Sequence, residues 1–513
     1  MNSQAFAAAT AAAPVELNDI QGLVRFGYKR HTQACFLLLR VKDREAARAW
    51  LAGAAVTSAA TLDPPPDTAL QVALSSEGLR ALGVASDIVE GFAADFVSGM
   101  SSDASRARRL GDVGANAPSR WQWGAAPRVP HVLVLLYAVP GRLEAWQRAI
   151  EAQCDAGFEL LACLPSSDMH GLEPFGFVDG ISQPMLDWER QRPVRDAQQL
   201  AYSNLSCLGE FLLGYPNEYG GYTDRPLLDP LRDVQALLPR AEDAPDLADL
   251  GRNGSYLVMR QLRQNVHGFW QFVDRQAGGN PGLREHIAAA MVGRSLHGEP
   301  LVGPANETFP GGGTPAELNA FTYRTDPQGV RCPLGAHVRR TNPRNADLPP
   351  GEPGIVSWLK RTLGLDAQAL DQDLVASTRF HRLLRRGREY GVAVPLAQAL
   401  AGASRGASSG ASTGADPGLH FICLGANIAR QFEFVQDAWV MATHFDGLPH
   451  ESDPLLGARL PAPDGTRTDD FSMPQPDGPD QRLTGLPQFV TVLGGAYFFL
   501  PGIRALRYLA TAP

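Results

Sequence analysis

Three stretches of this 513-residue chain carry residue types that can move protons, ligate a metal or hold an anion. Gly176-Phe-Val-Asp-Gly-Ile-Ser-Gln-Pro184 sets one carboxylate, Asp179, beside glycines (Gly180 follows it directly) that let backbone approach a flat ligand closely. An Asp-Gly pair is equally an ordinary turn signal. Cys332-Pro-Leu-Gly-Ala-His-Val-Arg-Arg-Thr-Asn-Pro-Arg344 carries His337 in a Pro/Gly-bounded segment, followed by Arg339, Arg340 and Arg344. A lone histidine is more often a packing or surface residue, and clustered arginines are either a solvated face or partners of an anionic ligand. Arg382-Leu-Leu-Arg-Arg-Gly-Arg-Glu-Tyr-Gly391 breaks the strand rule, because Arg382 and Arg385 cannot share a face while Leu383 and Leu384 both point to a core. An exposed basic edge is its plain reading.

The elements that must position these residues follow from apolar periodicity. Cys35–Val41, Ala69–Leu74, His131–Val139 and Phe158–Leu164 read as strands, with helices opened by Asp43 and spanning Gly141–Ala152. The order β-α-β-β-α-β is the split unit of a ferredoxin-like layer. The second half repeats it, with strands at Ser255–Leu262, Phe380–Arg385, Leu419–Leu424 and Phe489–Leu500 and helices at Val266–Arg275, Leu283–Val292 and Ile428–Val440. The expected architecture is α+β: two duplicated ferredoxin-like units, each a helix-covered antiparallel sheet, with a cleft between them. Residues 1–216 form the first domain, 217–250 a Pro/Asp/Gly-rich connector and 251–513 the second. Ala401–Pro417 is low-complexity Gly/Ala/Ser and reads as a mobile loop.

Net charge is −8 and pI about 5.8, which argues against a nucleic-acid partner. No apolar run approaches the ~20 residues of a membrane span, and the N-terminal MNSQAFAAATAAAPVELND lacks the basic and Leu-rich regions of a secretion signal. The six cysteines form no CxxC pair, so neither a disulfide framework nor a zinc site is expected. These features predict a soluble cytoplasmic protein.

Taken together, the three stretches resemble the dye-decolorizing peroxidase family. There a GxxDG segment supplies a distal aspartate, a later His the proximal iron ligand, and an Arg preceding a Tyr-Gly or Phe-Gly pair the distal cation. The matching residues are Asp179, His337 and Arg385, in that order. The likeness runs nearly end to end, through Asp19-Ile-Gln-Gly22, Gly209–Gly220, Gly251–Tyr256, Ile428–Gln436 and Gly494–Pro501. Length and the Tyr-Pro-Asn-Glu-Tyr segment are similar to the larger, class C/D-like members. Pro174 and Val178 depart from the pattern, at places where His and a basic residue are frequent.

The resemblance implies one haem b per chain, held in the C-terminal half with His337 on the iron and facing the first half. It implies that hydrogen peroxide and bulky organic donors, such as dyes and phenols, are the substrates. Asp179 is then the proton shuttle and Arg385 the charge stabiliser. Gly180 and Arg344 are expected beside the haem, Arg344 on a propionate, and Glu433 behind His337 as the acceptor of its other nitrogen. Tyr390 is a candidate electron relay to donors too large to enter. The competing readings are a haem carrier or sensor on the same scaffold, and a related haem protein that acts on chlorite or releases iron.

Overall fold

The computed structural model describes residues 14–190, 205–303, 314–319, 321–344, 378–401, 416–462 and 464–511. Most of the low-complexity stretch and the first thirteen residues lie outside them.

In the first half, β1 (Gln33–Val41), β2 (Thr68–Leu74), β3 (Val132–Ala138) and β4 (Phe158–Pro165) form an antiparallel layer in the order β4-β1-β3-β2. In the second, β5 (Ser255–Gln264), β6 (Leu384–Arg385), β7 (Arg388–Tyr390), β8 (Gly418–Gly425) and β9 (Val490–Leu500) give the order β9-β5-β8-β6, with β7 also on β8. Each layer therefore reads fourth, first, third, second: the ferredoxin-like order, made twice. The two layers do not face one another across a cleft. They join edge to edge where Phe499 of β9 pairs Leu74 of β2, giving one continuous sheet.

Both faces of that sheet are covered, which is why its central strands are near-continuous apolar runs rather than alternating ones. Along β1, Cys35, Leu37 and Leu39 enter one core while Ala34, Phe36 and Leu38 enter the other. The first core also takes Tyr497 and Phe499 of β9, so it runs through the junction.

The helices begin where their caps dictate. Asp43 accepts the Ala46 N–H at 2.8 Å to open α1 (Arg44–Gly53). The first half also has α2 (Leu143–Cys154), and the second has α3 (Val266–Gln276), capped by Asn265, and α4 (Pro281–Val292). Asn280 and Pro281 open α4, and Gly293, at φ 95°, ends it. Phe269, Trp270, Phe272 and Ile287 of α3 and α4 pack with Phe175 and Phe177, which precede Asp179.

Three expectations change. The strand expected over Phe380–Arg385 is confined to Leu384–Arg385, because residues 379–381 form a 3-10 turn that frees Arg382 and Leu383 from strand alternation. Helical Ile428–Val440 is wound as π-type turns at Ala429–Glu433 and Val435–Met441. The stretch read as a connector is packed down, with Leu228, Leu238 and Leu250 in the core and buried Arg225 ion-paired to Asp249 at 2.7 Å. Among the described residues no helix is long and apolar enough to cross a membrane.

Candidate active site

Asp179 sits on a loop held at both ends. Glu173 accepts the Phe177 N–H at 3.1 Å, Val178 N–H donates to Leu296 O, and Asp179 N–H donates to Gly171 O. Gly176 and Gly180 have φ of 99° and 75°, and a Cβ at either would meet open space. Backbone conformation, not crowding, is thus what calls for glycine at these positions.

Arg385 reaches this loop from β6. Its Nη1 donates to Asp179 Oδ1 at 3.0 Å, its Nη2 to Ser182 O at 3.3 Å, and its backbone N–H to Gln183 Oε1 at 3.0 Å. The loop and strand are therefore locked together, 206 residues apart in sequence. Burial pushes the Asp179 pKa up, but the Arg385 charge and the Gly180 N–H outweigh it, and the carboxyl ends below its ordinary value.

His337 opens the short α5 (His337–Thr341). Its Nδ1 lies 2.9 Å from Oδ2 of Asp453, which has no exposed side-chain surface. Asp453 Oδ1 accepts the Leu455 and Leu456 N–H groups at 2.9 and 2.8 Å, so the carboxylate is anchored by backbone. An ionised acceptor there keeps the proton on Nδ1 and leaves the Nε2 lone pair free. Burial alone would lower the His337 pKa; the Asp453 charge and hydrogen bond reverse this, and the net direction is up. Asp453 is correspondingly held below the usual carboxylate range.

His337, Asp179 and Arg385 line one cavity of about 310 Å³. Its walls are mostly apolar, including Phe175, Phe177, Val292, Leu419, Phe421, Leu455 and Val490. A space this size with a few polar groups converging on it is the usual form of a small-molecule or cofactor site.

Arg294, at the end of α4, also lines it. Its Nη1 donates to Gly298 O and Leu318 O, but its buried Nη2 has no acceptor among the described residues. Burial lowers its pKa to about 10. Glu173 faces the same space, bonded to Gln264 Nε2 at 2.8 Å, and burial raises its pKa to about 7.

Several expected site residues lie elsewhere. Glu433 does not touch His337: it is paired with Arg106 Nε at 2.9 Å and accepts from Tyr497 Oη at 2.8 Å. The π-type winding aims it at the sheet, and Asp453, 116 residues after His337, holds the place it was expected to fill. Arg344 is buried off the cavity wall, donating to Phe321 O and Asn319 Oδ1 with its guanidinium 4.0 Å over the Phe321 ring. Arg339 and Arg340 are structural, donating to carbonyls around Cys332, Trp439 and Glu451. Gly180 acts through its N–H on Asp179 and its turn. Tyr390 is buried, stacked on His420 and donating to Leu262 O at 3.1 Å.

Sequence reasoning missed Asp453 and Arg294. Neither stands in a motif, although Ser452-Asp453-Pro454 is a local turn signal.

No protein-family model matches the chain. Among characterised proteins, it is 29% identical over 455 residues to the multifunctional dye peroxidase DyP2 of Amycolatopsis sp., covering 86% of this chain and 82% of that one. It is 29% identical over 528 residues to peroxidase 2 of Mycetinis scorodonius, covering 98% and 89%. The fold superimposes with a TM-score of 0.72 on a fungal DyP-type peroxidase from Auricularia auricula-judae, at 25% identity, covering 98% of this chain and all of that one.

Proposed function

We propose that the chain is a peroxide-using oxidoreductase of the dye-decolorizing peroxidase type, to which it is similar along most of its length, with His337, Asp179 and Arg385 as its working residues and haem b as its cofactor. The observation that carries this reading is that an Asp–Arg pair and a carboxylate-backed histidine line the same apolar cavity. A carrier would need the histidine but has no use for the pair.

The residues present fit a haem. His337 offers its Nε2 with its other nitrogen already committed, as metal-ligating imidazoles do. The apolar walls suit a macrocycle, and the Nη2 of Arg294, which has no acceptor among the described residues, could pair with a propionate. Arg294 therefore takes the propionate role first expected of Arg344. Bound there, haem would supply an iron able to take up peroxide and the electrons to break its O–O bond.

The chain's own groups do the rest. The Asp179 carboxylate takes a proton from one peroxide oxygen and returns it to the departing one, a base that becomes an acid. Being held ionised by Arg385, it is ready as a base without waiting for solvent. The Arg385 guanidinium lies within hydrogen-bond distance of the same carboxylate, where it offsets negative charge gathering on the leaving oxygen. The apolar walls exclude water from that charge. Dyes and phenols are the donors, two electrons being drawn from them singly.

Haem titration of the purified apoprotein, followed by peroxide-dependent bleaching of a dye, tests this. Stoichiometric binding with turnover in wild type, and neither in His337→Ala, is the expected result. Wild-type haem binding by His337→Ala would sink it.

A further inference from the structure

Cys35 and Cys163 are 128 residues apart in sequence, yet their sulfurs lie 3.1 Å from each other. Cys35 is on β1 and Cys163 on the adjacent β4, where Leu37 pairs Cys163 and Cys35 pairs Pro165. The two are a diagonal cross-strand pair, and an even offset puts both on one face of the sheet. Gln147 of α2 donates to Cys163 Sγ at 3.2 Å, covering the pair from above. Cys35 is fully buried and Cys163 only partly so, which makes Cys163 the more accessible residue of the two. Neither lines the cavity described above.

We propose that Cys35 and Cys163 are a peroxide-oxidisable pair that closes a disulfide between β1 and β4. The sulfurs need to approach by roughly 1 Å to reach the ~2.05 Å bond. The electrostatics divide the labour. The sulfur–sulfur hydrogen bond holds the Cys163 pKa below its ordinary value while Cys35 is pushed up, so Cys163 is the sulfur that gives up its proton more readily.

The oxidant is the enzyme's own substrate. The Cys163 sulfur attacks one peroxide oxygen, the O–O bond breaks, and the other oxygen leaves as water after gaining a proton; Cys163 becomes a sulfenic acid. The Cys35 sulfur then attacks the Cys163 sulfur, the S–O bond breaks, and the departing oxygen takes a proton to leave as a second water. Two thiols and one peroxide become one disulfide and two waters. The sulfurs lose two electrons and the O–O bond gains them. The product staples β4, the edge strand of the first layer, to its neighbour and closes a long loop, which constrains the unfolded chain.

The test uses the full-length holoenzyme, reduced and then exposed to hydrogen peroxide without a donor. The expected result is loss of two of the six free thiols, a mass decrease of about 2 Da for the two hydrogens removed, and one cross-linked peptide joining β1 to β4 that dithiothreitol releases. The thermal midpoint should rise on oxidation and fall back on reduction. Cys163→Ser and Cys35→Ala should each abolish the cross-link, while Cys154→Ser, a buried neighbour in the same core, should keep it. Six thiols surviving peroxide, or Cys163 gaining oxygens with no cross-linked peptide, would overturn the proposal.

Discussion

Asp453 holds His337 from behind, with Oδ2 on the imidazole Nδ1 at 2.9 Å and Oδ1 on two backbone N–H groups. Neither oxygen is left over, so the imidazole cannot turn without breaking a buried, charge-assisted bond. That single contact orients the one nitrogen the cavity can use.

Asp453→Asn should therefore weaken haem capture without removing the ligand. Partners of this kind typically contribute about 10–100-fold to affinity. Titration of the apoprotein with haem checks it, and an unchanged affinity would show that helix α5 alone orients the ring.

Glu433→Gln gives the contrasting case, because Glu433 serves packing between Arg106 and Tyr497. Removing one member of a buried ion pair costs about 3 kcal/mol. Arg106 keeps its contact with Asp95 at 3.1 Å, which should hold the loss at or below that figure. Urea unfolding should move while haem affinity stays at the wild-type value; the opposite pattern would restore Glu433 to the site.

Asp179→Asn keeps the shape of the carboxyl but cannot carry the proton. Its reaction with peroxide, followed by stopped flow, should slow by about 10²–10⁴-fold. A rate near wild type would hand proton transfer to another group.

Arg385→Leu removes the charge that keeps the Asp179 pKa below its ordinary value, so burial, which raises it, is left unopposed by that partner. The base form then appears only at higher pH. The acidic limb of the pH–rate profile should shift upward, with a lower plateau. In the double variant the losses should be far from multiplicative, since both groups serve one step. An unmoved acidic limb would mean that Arg385 does not set the ionisation of Asp179.

Tyr390→Phe deletes a phenol that donates to a backbone carbonyl inside the core. Bulky dyes and small donors should be oxidised as in wild type, with a stability loss of about 1 kcal/mol for the missing bond. A loss confined to bulky dyes would make Tyr390 a relay after all.

Much of this protein is written locally. The strands of β1, β3 and β9 are apolar runs bounded by turn residues, and such runs state their conformation through their own neighbours. Asp179, His337 and Arg385 are legible for a related reason. Each stands among glycines, prolines or arginines whose spacing has no use in a plain helix or strand.

Tertiary structure decided who meets whom. Asp453 rather than Glu433 backs His337, because π-type winding turns Glu433 toward Tyr497 while the turn at 452–456 brings a carboxylate to the ring. Arg294 rather than Arg344 faces the cavity, because the end of α4 points there while Arg344 folds over Phe321. The joining of two layers into one sheet at Phe499 and Leu74, and the meeting of Cys35 with Cys163, are likewise invisible to periodicity. Periodicity reports the environment a residue requires, buried or open, and many residues satisfy the same requirement. Only closure of the whole chain, with every buried polar group needing a partner, selects among them.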